Sequence, residues 1–560
     1  MKKWVLLSLI VIFFLAVFMR LFPLTRYAIW GSDAGEYYSI TNQLISDGYV
    51  STDYDGWGFG YPYFPGMFYF TGAAHFLTGL DLLFAMIVII PVVASISVFI
   101  VFIISRMLFK NDGAALLASG FLAVAMPHVF ATSHPMPGSL GDMLLLSSLL
   151  FLLASLRNNK FIPLLILSTI ALIITHHLSS YFLFIMIFGG FFLVGMLGCQ
   201  EKKQLRLYWA FLVFFFTVLV LYWMILASRF AEGVVSSAFD VPFWVLFIVG
   251  YVVLFLVYVL IVLRRRISWS FKSKFPEPRK QIVLYIILLG ILFFVLGYMA
   301  LVKVPGTNIN LTPETALLFS PLIIILAFTS AGAGYLKIYK NGVSVYGWIV
   351  ALVISLLVAI VTSNRVLFTY RHPQYFMAPL ALAIGIGVAM MIYLYWGERR
   401  QNKALAVGLV VVLLGLTSLS AYPPRGVMGG FQEGTSEEDM QAVAWAKYSL
   451  EDGATVATDH RMSSMVFGFA GQNATWDAAI DTLHGSSYEE CKDEIDNIST
   501  PSGEKHIDYV ILDDDIKDGV ALLQWENAEP MRTQAWEKFE KWPFVKLYEA
   551  NGVEVYGVVG

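Results

Sequence analysis

Charge is what this sequence has least of. Of its 560 residues only 14% are Asp, Glu, Lys or Arg, whereas 58% are hydrophobic, and the mean hydropathy is +0.70. That balance excludes a soluble globular protein as the main reading. Cysteine is nearly absent: Cys199 and Cys491 form no redox or zinc motif, and the topology derived below puts them on opposite sides of a membrane, so no disulfide between them is expected. P-loop and GxGxxG patterns are missing too. The net charge of -3 says little by itself because the charges are unevenly distributed, and no nucleic-acid partner is expected.

What the chain has instead is long apolar runs. About thirteen of them, most near the roughly 20 residues that a helix needs to cross a bilayer, recur between residues 4 and 421. They fall near 4–20, 82–105, 113–131, 139–156, 161–175, 179–198, 207–227, 241–263, 281–302, 315–336, 343–362, 374–396 and 404–421. The first is read as an uncleaved helix, since Arg20, Pro23 and Arg26 follow where a cleavage site would need small residues. Every second loop is basic, from Lys2/Lys3 through Arg106/Lys110, Arg157/Lys160, Lys202/Lys203/Arg206, Arg264–Lys280 and Lys337/Lys340 to Arg399/Arg400/Lys403. The other loops hold only Arg20, Arg26, Arg229, Lys303, Arg365 and Arg371. By the positive-inside rule the N-terminus is cytoplasmic and everything after Ala421 lies outside.

The expected fold is therefore a polytopic α-helical membrane domain over 1–421, with a first outer loop at 21–81, followed by an extracytoplasmic α/β domain over 422–560. In that second domain the spacing predicts a helix over Ser436–Leu450, strands at Ala454–Thr458 and Ile507–Leu512, and a hairpin over Val545–Val559 turning at Asn551-Gly552. Within the first outer loop Tyr37, Ile40, Thr41 and Leu44 repeat at helical spacing, a stripe suited to the membrane interface. The aromatic run Trp57–Gly66 reads as interfacial anchoring.

Candidate functional residues cluster on the expected outer side. Asp33 and Glu36 lie in Gly31-Ser32-Asp33-Ala34-Gly35-Glu36-Tyr37-Tyr38; Asp142 opens a helix after His134; Glu314 opens another; Arg365, Arg371 and His372 precede a third. Each has a structural reading as well. A carboxylate in a first helical turn caps free N–H groups, Asp33 with Glu36 has the spacing of a capping box, and arginines snorkel at interfaces. The functional reading is transfer of a lipid-linked sugar. Displacement at an anomeric carbon needs its leaving phosphate neutralised, by carboxylates holding a divalent cation (Mn²⁺ or Mg²⁺) or by an arginine fork, while a further carboxylate orients or deprotonates the acceptor.

These segments resemble the membrane glycosyltransferases of the GT-C superfamily, and within it the catalytic subunit of prokaryotic oligosaccharyltransferase. The likeness lies in Gly31–Tyr38 followed by the Tyr61–Gly66 loop, and it extends over most of the chain. It implies Asp33 as the catalytic centre and first metal ligand, and Asp142 of Gly138-Ser139-Leu140-Gly141-Asp142 as a second. Glu314 of Thr312-Pro313-Glu314 is implied as a third. Arg371, with Tyr375–Pro379, is implied as the donor-phosphate contact, with Arg365, His372 and His134 as further candidates. The departures are also clear. Met143 and Leu144 stand where the family has a further acid or His, and Thr458-Asp459-His460-Arg461-Met462 stands where it has the WWDYG peptide reader.

The resulting expectation is a glycosyltransferase taking a sugar or oligosaccharide from a polyprenyl-phosphate- or diphosphate-linked donor at the membrane surface, with a protein, glycan or lipid acceptor. The alternative is a transporter or lipid-linked glycan flippase, which would need ionisable groups at mid-membrane or broken helices in repeated halves.

Overall fold

The computed structural model describes residues 2–198, 201–238, 242–266, 276–302, 311–338, 342–362, 369–395, 400–519 and 529–559. Cys199, Lys303, Lys340, Arg365 and Arg399, which enter the sequence expectations, lie outside the described residues.

Among the described residues ten helices are long and apolar enough to cross a membrane, from Lys3–Thr25 to Thr369–Leu394. A bent pair, Asp112–Val124 with Met126–Ser133, and two shorter apolar helices, Asn159–Thr175 and Lys403–Ser418, account for the other apolar runs. The chain is thus a multi-helix membrane protein in which hydrogen bonds inside each helix satisfy the backbone where lipid cannot. The 56° bend of the pair falls at Ala125, whose backbone is extended, next to Pro127, which has no N–H to offer the preceding turn. Small residues let helices approach closely: a Cβ on Gly332 would overlap the Ala383 carbonyl, and one on Gly385 the Ala114 carbonyl.

The C-terminal part is α/β. Among the described residues nine strands are numbered in chain order. β1 (Ile29–Trp30) comes from the first loop and β2 (Gly434–Thr435) from the C-terminal part. They are followed by β3 (Thr455–Ala457), β4 (Asn473–Ala474), β5 (Ile498–Thr500), β6 (Gly503–Lys505), β7 (Tyr509–Leu512), β8 (Phe544–Ala550) and β9 (Val553–Val558). The main sheet has the order β4-β3-β7-β9-β8, with β3 parallel to both its neighbours. β8 and β9 form the expected hairpin, turning through Asn551 (φ 48°) and Gly552 (φ 84°). The expected helix is Glu437–Ser449, opened by a reciprocal capping box between Ser436 and Asp439.

The first loop belongs to this domain as much as to the membrane helices. β1 pairs antiparallel with β2, Ile29 facing Thr435. The helix Ala34–Asp47 buries Tyr37, Ile40, Thr41 and Leu44. That stripe is not a membrane-interface face: Tyr37, Ile40 and Leu44 share one hydrophobic core with Met462, Met465, Val466 and Val555. An apolar stripe at helical spacing records only that a face is covered, and here the cover is protein.

Candidate functional site

Asp33 sits where the chain leaves the left-handed Gly31 (φ 126°) and enters Ala34–Asp47. It does not cap that helix, because its side chain makes no capping bond. Oδ2 instead accepts hydrogen bonds from the Tyr37 hydroxyl (3.2 Å) and the Tyr61 hydroxyl (3.1 Å), while Oδ1 meets His460 Nε2 at 3.1 Å. Burial by itself pushes the Asp33 carboxyl up. The hydrogen bond and charge of His460, the Tyr61 hydroxyl and the charge of Arg371 outweigh it and hold Asp33 below the ordinary carboxylate range. His460 answers in the opposite direction. Burial lowers it, but the Asp33 bond and charge, with Glu36 and Asp477, raise it above its ordinary value. The pairing thus favours the carboxylate form of Asp33 and the protonated form of His460.

His460 reaches Asp33 from the C-terminal domain. It follows β3, and the Asp459 side chain caps the short helix His460–Met465 by accepting the Met462 N–H at 2.9 Å. The imidazole lies edge-on to Trp57 of the first loop, with ring centroids 4.7 Å apart, and 5.8 Å from Trp476. Among the described residues its buried Nδ1 has no hydrogen-bond partner.

Glu36, read from sequence as a cap, is fully buried instead. Its Oε1 accepts the Gly58 N–H at 2.6 Å and the Tyr54 hydroxyl at 2.9 Å. Burial, then the nearby Asp33 charge, pushes it up to about 8, so Glu36 is neutral at pH 7. The capping expectation fails because Glu36 folds under the 54–58 segment rather than back to the helix start.

The other expected site residues divide. Arg371, at the end of the short turn Thr369–Arg371, lies over the Tyr370 ring at 5.2 Å with Nη1 3.8 Å from Met136 Sδ, and its charge acts on Asp33 and on Tyr37. His134 stacks on Trp30 at 5.5 Å, and its Nε2 is 3.5 Å from Glu433, which also accepts the Ser32 N–H at 3.1 Å. It braces the stretch that carries Asp33. Asp142 does not open its helix, which begins at Pro137. Its Oδ2 is 2.8 Å from His128 Nε2, and His128 Nδ1 is 2.8 Å from Arg20 Nη2. Arg20 is therefore no loop residue: it is 1% exposed and part of a buried Arg20–His128–Asp142 chain. His372 is turned into the helix bundle, where Nε2 meets Ser355 Oγ at 2.8 Å. Glu314 stands exposed in a first helical turn that Thr312 caps.

The implied metal set is consequently not gathered. Among the described residues no group of three His, Cys, Asp or Glu side chains stands close enough to hold an ion. The Asp33 oxygens face hydroxyl and imidazole donors, Asp142 faces His128, and Glu314 faces solvent. This donor set does not fit the divalent cation that the resemblance implies.

No family model and no curated protein sequence matches the chain. Solved structures do. The oligosaccharyltransferase of Archaeoglobus fulgidus, in complex with Zn and sulfate, superposes with a TM-score of 0.60 at 15% identity, covering 91% of this chain and 68% of that one. The chain has the GT-C fold. At lower similarity stand the arabinofuranosyltransferase AftD from Mycobacteria (TM-score 0.44, 12% identity, 100% of this chain and 40% of that one) and ArnT from Cupriavidus metallidurans bound to undecaprenyl phosphate (0.39, 11%, 99% and 98%).

Within this GT-C fold, sequence reasoning missed His460, Tyr37 and Tyr61 as partners of Asp33. Tyr37 follows Asp33 by four residues on one helix, a spacing that brings side chains together. For His460 the available signal was its place just after β3, the strand that runs parallel to both its neighbours, where α/β units set functional groups.

Proposed function

We propose that the protein is a membrane glycosyltransferase that moves a sugar or oligosaccharide from a polyprenyl-phosphate- or diphosphate-linked donor to a protein or glycan acceptor, with Asp33 as the catalytic group. The observation that carries this reading is Asp33, half-buried where a membrane-helix loop meets the C-terminal domain and held below the ordinary carboxylate range by His460, Tyr61 and the Arg371 charge against the effect of burial. An anionic Asp33 and a cationic Arg371 whose charges act on each other are the two charges that the reaction needs.

In this reading Arg371 receives the lipid-linked phosphate. Its guanidinium fork matches phosphate oxygens and stabilises the negative charge that grows as the anomeric C–O bond breaks and its electron pair moves to the phosphate. The acceptor forms the new bond to the anomeric carbon, and its proton passes to Asp33. Because His460, the Tyr61 hydroxyl and the Arg371 charge hold Asp33 below the ordinary carboxylate range, the base is in its working form at neutral pH. His134 and Trp30 hold the loop that carries it. The reaction takes place at the extracytoplasmic face of a prokaryotic cell membrane, with the N-terminus cytoplasmic. No step is assigned to Asp142, Glu314 or a metal.

The test is purified protein given polyprenyl-phosphate-linked sugars, comparing wild type with Asp33→Asn. The variant keeps the shape of the side chain but removes its charge and basicity. Transfer should fall by ~10²- to 10⁴-fold, the usual contribution of a general base. Equal transfer by both proteins would remove Asp33 from the mechanism.

A further inference from the structure

The helix Ala34–Asp47, which Asp33 precedes, carries a second face that the surroundings of Asp33 do not use. Ser39, Asn42, Gln43 and Ser46 recur at i, i+3, i+4 and i+7 and line one pocket of about 290 Å³. Asp53, Tyr54 and Asp55 of the first loop and Phe467 of the C-terminal domain supply the rest of its lining. The pocket opens to solvent, since Asn42, Ser46, Asp53 and Asp55 are exposed. Among the described residues the side chains of Ser39, Asn42, Gln43, Asp53 and Asp55 have no hydrogen-bond partner within the chain, so their donors and acceptors are available to a ligand. Tyr54 ties the pocket to the candidate site: its hydroxyl donates to Glu36 Oε1 at 2.9 Å, and Glu36 stands in the first turn of the same helix.

The lining selects a ligand class. None of these residues is basic, which disfavours phosphates and acidic peptides, and none is aliphatic, which disfavours a lipid tail. Among the described residues no group of three metal-ligating side chains is gathered, and the space is larger than a bare ion fills. What suits the pocket is a neutral molecule rich in hydroxyls. Carboxylates accept from sugar hydroxyls in charge-assisted bonds, and side-chain amides both donate and accept, as neighbouring hydroxyls require. Tyr54 and Phe467 add apolar ring surface for the C–H groups of a sugar.

We propose that this pocket is a saccharide-binding subsite that holds a neutral part of a glycan substrate away from the bond being made. At roughly 1.5 Å per residue, Ser39 to Ser46 lie about 9–20 Å from Asp33 along the helix axis, so the reacting atoms do not meet in the pocket. It takes a distal portion of the glycan, and that remote contact positions the reacting end. This rests on the transferase reading and adds that a substrate glycan extends beyond the reacting sugar. Donor-linked and acceptor glycans share the required chemistry, and the experiment separates them.

Binding is measured by isothermal titration calorimetry on the full chain, purified in a detergent without a sugar headgroup, with maltotriose, mannotriose and triacetylchitotriose as probes. At least one of them should bind with a Kd on the order of 1 mM, and Asn42→Ala and Asp55→Asn should each weaken it about three- to tenfold, the loss of one hydrogen bond. Neither side chain bonds within the chain, so both variants should melt with wild type. Silence from every trisaccharide, or binding that both folded variants leave unchanged, would overturn the assignment. So would binding of inorganic phosphate, Ca²⁺ or an Asn-x-Thr peptide, in place of the trisaccharides, that the two variants abolish. Asp33→Asn should bind the trisaccharide as wild type does while losing transfer. Pocket-dependent binding in a protein that transfers nothing keeps the subsite and removes the transferase reading, whereas transfer without such binding removes the subsite alone. With trisaccharides on both donor and acceptor, the pocket variants should raise the KM of whichever substrate the pocket holds; a rise in neither counts against the proposal.

Discussion

Gly35 and Gly468 face each other with no room for a side chain on either. A Cβ on Gly468 would overlap the Gly35 carbonyl, and one on Gly35 the Ser464 carbonyl. Nearby, the Glu36 N–H donates to Ser464 Oγ at 3.1 Å. This close approach seats the Asp33 helix against the C-terminal domain, and it is why His460 can reach Asp33.

Gly468→Ala should therefore act on activity through docking. Overpacking a tight contact costs ~1–3 kcal/mol, and here the strain falls on the joint rather than on either part. Transfer should drop together with thermal stability. An unchanged melting temperature and unchanged transfer would mean that the two surfaces separate freely.

Glu36 supplies a pH signature. Its folded value lies at about 8 against an ordinary 4.5, burial being the largest cause. A raised carboxyl stabilises the fold fully below pH 4.5, and the contribution is lost as pH climbs towards 8, because the unfolded chain releases a proton that the folded chain retains. Glu36→Gln removes the titration. The melting temperature of the variant should gain on that of wild type between pH 5 and 8, a difference read by parallel thermal scans; a constant difference would show that Glu36 is ionised in the fold.

Arg461 holds the C-terminal domain from inside. It is fully buried, with Nη1 2.7 Å from Asp439 and Nη2 on Asp513, and Asp459 contributes a third nearby charge. Burial, opposed by Arg461 and assisted by the other two acids, pushes Asp513 up to about 7. Arg461→Met leaves these acids without their cation, and removing one partner of a buried charge cluster costs ~3–5 kcal/mol. A loss below about 1 kcal/mol in thermal or chemical unfolding would contradict the cluster.

Arg371→Lys tests the phosphate contact. Lysine keeps the charge but loses the planar fork. The donor KM should rise by roughly tenfold, equivalent to one charge-assisted bond, while the acceptor KM stays near wild type. A rise confined to the acceptor KM would move Arg371 out of the donor site.

The sequence by itself determined the membrane architecture, because a bilayer imposes one length and one polarity on every crossing helix, and runs such as 82–105 and 343–362 satisfy both without reference to any neighbour. In the C-terminal domain β3, β7 and the β8–β9 hairpin with its Asn551-Gly552 turn were legible from local pattern, whereas the short strands β2, β4, β5 and β6 were not. Asp33 stood out as a carboxylate beside a membrane helix. Its partners did not, since His460 lies 427 positions away and meets it through tertiary contacts such as the β1–β2 pairing and the Gly35–Gly468 approach. Tertiary structure also reassigned Glu36 from cap to neutral buried acid, Asp142 from metal ligand to partner of His128, and Arg20 from loop to helix interior. A carboxylate's role follows from what burial brings against it, and nothing in residue order fixes that.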